Sequence, residues 1–315
     1  MAASFTPVSG YLAGIYRSLG SLVGAVEKHQ LLVDGDFATG ALLPNWTDDS
    51  AGGASTAVPT ALKGWDERSI GLVLDDDGTN LAGVSQIVEL DNAVTVAQAL
   101  TDRVVLSCWA RFDAIDDTAT LKVSLLDAAD GALGDASVTM LSAHPFYADA
   151  TLFGTDGYFS VAIDAVNLTK KIKVEITSNA AAAQIVNISN VQLAIVEQVA
   201  GAFGQVAMPV GHDLEESTTF ASAGTAGWRS YVAVLIKQGA LTFPSFWVQE
   251  ESMAHEQSTE DELYVVLWTQ KATNTSDRFE FLGKVSGIEW AAPVGELQKG
   301  SVTIVANGLI GYAHI

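Results

Sequence analysis

FEFLGKVSGIEWAAPVGELQKGSVTIVANGLIGY, residues 279–312, sets the texture of the whole chain. Phe279, Phe281, Val285 and residues 288–290 fall in partial alternation, and Val302, Ile304 and Ala306 alternate with Ser301, Thr303 and Val305. Period-two alternation marks a half-buried strand, because successive side chains leave a strand on opposite faces. Two such runs joined through Pro293-Val294-Gly295-Glu296 and closed by Asn307-Gly308 read as a β-hairpin, since Asn-Gly is the strongest short turn signal. The stretch has no His, no Cys and no close polar pair that could act as base and nucleophile, so it reads as scaffold.

The composition around it bounds the rest. The chain has 315 residues, enough for two domains at roughly 100–200 residues each. With 49% apolar and 17% charged residues it forms a core rather than a disordered coil. A formal net charge of −21 opposes any surface that grips nucleic acid, which needs clustered Lys and Arg. The acidic excess is shared by 31–197 and 198–315, and no basic arm exists. One cysteine, Cys108, excludes an intrachain disulfide framework, and in VVLSCWARF it reads as a small buried hydrophobe. No secretory leader pattern and no run of about 18 apolar residues is visible, so the sequence reads as a soluble protein made in the cytoplasm. On that reading the Asn-X-Ser/Thr triplets at Asn45, Asn167, Asn187 and Asn274 carry no glycan.

Residues 11–26 place Tyr11, Leu12, Ile15, Tyr16, Leu19, Leu22, Val23 and Val26 on one helical face, predicting an N-terminal amphipathic helix or arm weakened by Gly14, Gly20 and Gly24. From Leu31 onward short apolar runs alternate with Asp, Gly, Asn and Thr clusters: GLVLDDDGTN, GVSQIVEL, RVVLSCWARF, ATLKVSLLDAADG, YFSVAIDA, KKIKVEI and IVNISNVQLAIVE. That density of strands and turns predicts an all-β, antiparallel sandwich. Asp75 to Asn80 lacks the spacing of a calcium loop and reads as a solvated turn. Gln198 to Gly204, small and glycine-containing, reads as a boundary.

Two resemblances sharpen this. LLVDGDFATGALLPNW, LSCWARF and VNISNVQLAIVE resemble the opening, central and closing strands of jelly-roll carbohydrate-binding modules, over residues 31–197. The resemblance implies a jelly-roll β-sandwich, sugar binding through exposed aromatic rings, and a structural calcium. Trp65 and Tyr147 stand in loop-like contexts and are the candidate glycan contacts, whereas Trp46 and Trp109 fall at core-like positions. Ala38 and Ser189 replace the family's calcium-binding carboxylates, so no metal is expected.

Residues 198–315 resemble the tail tube protein of long-tailed bacteriophages. Asp213, Glu215, Thr218 and Thr219 match its acidic and threonine-rich segment, Gly227, Trp228 and Arg229 the start of a short helix, and Pro293, Gly295 and Glu296 its last hairpin. This implies a second tube-like β-domain whose hairpin, with Trp290, Pro293, Gly295, Glu296, Asn307 and Gly308, mediates assembly. The implied partners are further copies of the chain in rings, usually hexameric, stacked as a tube in the virion, together with other tail proteins and DNA that passes without specific binding. Residues 1–30 form either a separate arm or part of that domain, in which case 31–197 is an insertion. The competing expectation is a capsid or tail decoration protein whose sandwich binds host surface glycans.

Catalysis is not expected. His29, His144, His212, His255 and His314 are scattered without metal-site spacing, no Gly-x-Ser-x-Gly elbow is present, and no glycine motif for a nucleotide occurs, so neither catalytic residues nor a cofactor are assigned.

Overall fold

The computed structural model describes residues 14–18, 30–42, 44–52, 56–61, 70–112, 117–141, 157–179, 183–198, 211–216, 231–237, 240–246, 262–267, 278–291, 299–306 and 311–313. Among them the fold is antiparallel β, interrupted by one four-residue helix. The strands run β1 Gly14–Ser18, β2 Thr47–Asp48, β3 Thr56–Ala61, β4 Ile70–Asp77 and β5 Gly83–Glu89, then helix α1 Gln98–Thr101. They continue with β6 Asp102–Phe112, β7 Thr118–Leu126, β8 Ala132–Leu141, β9 Gly157–Asp164, β10 Lys171–Ser178 and β11 Ala183–Gln198. The last are β12 Gly211–Glu216, β13 Tyr231–Lys237, β14 Ala240–Phe246, β15 Glu262–Leu267, β16 Arg278–Ala291, β17 Lys299–Ala306 and β18 Gly311–Ala313.

The chain divides into two compact units. One comprises Leu12–Val199, Glu262–Glu280 and Gly311–Ile315; the other comprises Met1–Tyr11, Ala200–Asp261 and Phe281–Ile310. The sequence reading separates 1–30, 31–197 and 198–315. In the structure the first unit holds β1 together with the strands of 31–197 and also takes in β15, β18 and the root of β16.

In the first unit one sheet has the order β3-β4-β11-β6-β9 and the second the order β2-β5-β10-β7-β8. Their facing sides meet in a single core. Leu106, Cys108, Ile188 and Leu193 come from one sheet, and Leu121, Val123, Val174 and Ile176 from the other, with Trp46 and Phe37 sealing it at 0% exposure. Alternation explains the assignment: on β10 the pattern is Ile172, Val174 and Ile176 inward and Lys171, Lys173 and Glu175 outward. Close packing of side chains that leave water dominates the stability of such a sandwich.

The helix predicted over 11–26 is not formed at Gly14–Ser18, which is strand β1. β1 pairs antiparallel with β15 on one side and with the end of β11 on the other. Ile15 and Tyr16, which leave the strand on opposite faces, are 1% and 5% exposed, so β1 is buried on both sides. Two ladders of backbone hydrogen bonds and a β-branched residue outweigh a helical pattern already weakened by glycine. The remainder of 11–26 lies outside the described residues.

Two side chains depart from expectation. Trp109 is half-buried on the face of β6 opposite Cys108, packed edge-on against Tyr158 at 5.0 Å, and so stands off the core. In the Asp75 to Asn80 turn, Asp77 Oδ1 accepts the Thr79 and Asn80 N–H groups as a turn residue should. Asp76, however, is 2% exposed and accepts from the Gly78 N–H and the Gln184 side-chain amide.

Candidate functional site

The hairpin at the C-terminus is built as its alternation requires. β16 pairs with β17 from Gly283↔Ala306 to Ala291↔Lys299, and β14 pairs with the other edge of β17. Leu241, Phe281, Val302, Ile304 and Ala306 are buried on one face. The opposite face carries Thr242, Thr303 and Ser301, with exposed Lys284, Glu289 and Val305. Thr242 and Thr303 hydroxyls lie 3.5 Å apart across the strands. A bulge between Val285 and Gly287 leaves Ser286 exposed, its Oγ donating to the Thr303 carbonyl at 3.2 Å. Such bulges increase local twist. A Cβ at Gly283 would lie 2.7 Å from the Val305 carbonyl oxygen, so only glycine lets the two backbones approach this closely.

Of the residues assigned to assembly, Trp290 lies on β16 opposite Gly300. Pro293, Gly295, Glu296, Asn307 and Gly308 lie outside the described residues, as do Gly227, Trp228 and Arg229 and the glycan candidates Trp65 and Tyr147. Asp213 and Glu215 are on β12, which pairs with β13. Among the described residues no three His, Cys, Asp or Glu side chains gather as a metal cluster would.

Within the first unit the sandwich offers a polar outward face on its second sheet. Thr177, Thr120 and Thr139 form one cross-strand row, and Glu175, Lys122 and Ser137 the next. Glu175 accepts from Lys173 Nζ at 2.7 Å and lies 3.9 Å from Lys122 Nζ, which is itself 3.7 Å from Asp135. Exposed pairs of this kind contribute little to stability, typically below about 1 kcal/mol. They leave a ladder of donors and acceptors facing water.

A buried carboxylate on the other sheet was missed by the sequence reading. Glu280, at the root of β16 and 1% exposed, accepts hydrogen bonds from the Tyr158 hydroxyl at 2.5 Å and from the Ser160 hydroxyl. Tyr158 and Ser160 sit two apart on β9, on the face away from the core, and a buried carboxylate needs such donors. The signal was present in YFSVAIDA as two hydroxyls at the same strand parity.

No family model matches the chain, and no curated protein matches it. Among solved structures, the chain is similar to the enzymatically active domain of tailspike protein 4 of Bacteriophage CBA120, with a TM-score of 0.40 and 15% identity over 53% of this chain and 21% of that one. The matched part thus spans about a fifth of the tailspike chain. A CBM61 protein in complex with β-1,4-galactotriose gives a TM-score of 0.37 and 17% identity over 52% of this chain and 97% of that one. The tail of an empty GTA particle with C6 symmetry gives a TM-score of 0.29 and 10% identity over 38% of this chain and 86% of that one.

Proposed function

We propose that the chain is a structural subunit of a phage tail that assembles with copies of itself into stacked rings, with the β16–β17 hairpin as the assembling element and the sandwich as an external decoration. The observation that carries this reading is the hairpin itself: one apolar face fully used, one hydroxyl-rich face left to water, and strands of 14 and 8 residues. β17 is paired on both edges, by β16 and by β14, so the edge left open here among the described strands is that of β14; an open edge is a hazard in a monomer, and ring formation would turn it into an intersubunit ladder. The tail-tube resemblance of 198–315 points the same way. In the ring, the face carrying Thr242, Thr303, Ser301, Lys284 and Glu289 lines the channel. Hydroxyls and one charge of each sign give DNA nothing to adhere to, and the role is architectural rather than catalytic.

Negative-stain imaging and sedimentation of the purified chain test this. Rings or tubes are expected, and deletion of residues 291–296 should abolish them while the sandwich retains its near-ultraviolet signal. A wild-type chain that stays monomeric at all concentrations would refute the reading.

The second reading, a decoration or adhesion protein that binds host glycans, draws on the Thr and Lys/Glu rows of the second sheet. It predicts discrete monomers or trimers and positive spots on a glycan array, lost on Lys122→Ala with Glu175→Ala.

A further inference from the structure

The opening segment of the sandwich is held by amide side chains. Gln30 Oε1 accepts the backbone N–H groups of Leu32 at 3.2 Å and Leu193 at 3.1 Å, while its Nε2 donates to the Val191 carbonyl at 2.7 Å. Gln86, 6% exposed and pointing inward between Val84 and Val88, accepts from the Val33 N–H at 2.9 Å. Its Nε2 donates to the carbonyls of Val33 at 2.9 Å and Asn45 at 3.0 Å. Two glutamines therefore tie the 30–46 segment to β11, to β5 and to itself.

This is where the carbohydrate-module resemblance implies a calcium ion, and the residues do not fit one. Calcium takes six to eight oxygens at about 2.3–2.6 Å. The segment has two carboxylates: Asp34 accepts the Thr39 N–H at 3.1 Å and the Thr39 hydroxyl, and the exposed Asp36 accepts the Ala38 N–H at 3.2 Å through Oδ1. The carbonyl of Asp34 accepts the Trp46 indole N–H at 3.1 Å, and that of Gly35 the Val191 N–H at 2.8 Å. Donor hydrogens thus already point at both Asp34 carboxylate oxygens, at Asp36 Oδ1 and at the Asp34 and Gly35 carbonyls, and two carboxylates of which one is exposed fall short of the six to eight convergent oxygens that calcium takes. Ala38 and Ser189 add no carboxylate. The packing is also closed, since a Cβ at Gly35 would lie 2.2 Å from the Val191 carbonyl oxygen and 2.6 Å from Gln30 Nε2.

We infer that Gln30 and Gln86 replace the calcium of the resembling modules, so that this sandwich closes on neutral hydrogen bonds and is indifferent to divalent cations. Glutamine suits the task because each amide offers two donors and an acceptor at a fixed spacing, which satisfies backbone groups on two segments at once. The three bonds of Gln86 satisfy groups that would otherwise be partly dehydrated and unpaired, which is the costly case.

The test is thermal unfolding of the full chain, followed by near-ultraviolet circular dichroism, after EDTA treatment and again with millimolar calcium, with calorimetric titration of calcium alongside. The expected result is the same Tm in both and no heat of binding. Gln86→Leu, which keeps most of the volume and loses all three bonds, should lower Tm by about 4–10 °C with no recovery on adding calcium. Gln30→Leu should do the same, and provides a second reading if Gln86→Leu fails to fold. A calcium-dependent rise in the wild-type Tm would overturn the inference, as would leucine variants that melt with the wild type.

Discussion

Glu280 shows how one residue can be decisive without being conspicuous. A carboxylate at 1% exposure needs hydrogen-bond donors, and Tyr158 and Ser160 supply two of them. Hydrogen bonds to a charged group contribute roughly 1.5–3 kcal/mol. Tyr158→Phe and Glu280→Gln should each lower stability in urea titration by about that amount, and a double-mutant cycle should return a coupling above about 1 kcal/mol. Additive effects would show that the bond does not carry the anchor. Cys108 gives a second prediction. Complete burial pushes its thiol well above the usual cysteine range. The folded chain therefore keeps a proton that the unfolded chain releases above pH about 8.5, so stability present below that pH is lost as pH rises, by up to about 1.4 kcal/mol per unit. Burial also raises the Tyr16 phenol, which acts in the same direction but only above pH about 10. Between pH 9 and 10 the decline should be absent in Cys108→Ala, and native Cys108 should resist thiol reagents until the chain unfolds; a native thiol that reacts freely would contradict its burial.

At the scale of the element, legibility follows burial on one side. Strands such as β10, with one face in the core and one in water, alternate cleanly and were readable, as was the β16–β17 hairpin. β1 was not, because its neighbours on both edges are distant in sequence and bury successive residues. β8 escaped notice for the opposite reason: an edge strand, ALGDASVTML, it keeps small polar residues and little apolar contrast. The Glu280 anchor left only its donor half in view, two hydroxyls of like parity in YFSVAIDA, because the carboxylate lies 120 or more positions away. The glutamine ties were hidden too, since a buried amide leaves no periodic trace. Two substitutions probe these elements. Ile15→Ala should cost about 2–5 kcal/mol in chemical denaturation, the price of a buried isoleucine inside a sheet, and not the few tenths expected on a free arm. Gly283→Ala must push β17 from β16, at about 1–3 kcal/mol, and should weaken assembly more than it weakens the sandwich's melting. An alanine variant that assembles as well as wild type would separate the hairpin's close approach from ring formation.

For the whole molecule the dominant number is the charge of −21 with a sequence pI near 4.3. Bringing copies of such a chain together is opposed by repulsion, so any association must come from backbone edges and apolar contact, with electrostatics working against it. Salt then acts in a definite direction. Repulsion between exposed charges reaches about 30 Å at 0.01 M ionic strength and about 8 Å at 0.15 M, so raising salt across that range should shift sedimenting material from subunits toward rings or tubes. Lowering the pH toward 5 should do the same as carboxylates begin to protonate. An interface held by complementary charges would respond oppositely and dissolve in salt. The same charge forbids retention of DNA, so no mobility shift is expected even at low salt, where phosphate contacts are strongest. Salt-promoted assembly together with indifference to DNA is the joint outcome that the tube reading requires, whereas assembly that salt dissolves would place the interface on charged surfaces such as the Lys/Glu rows of the sandwich.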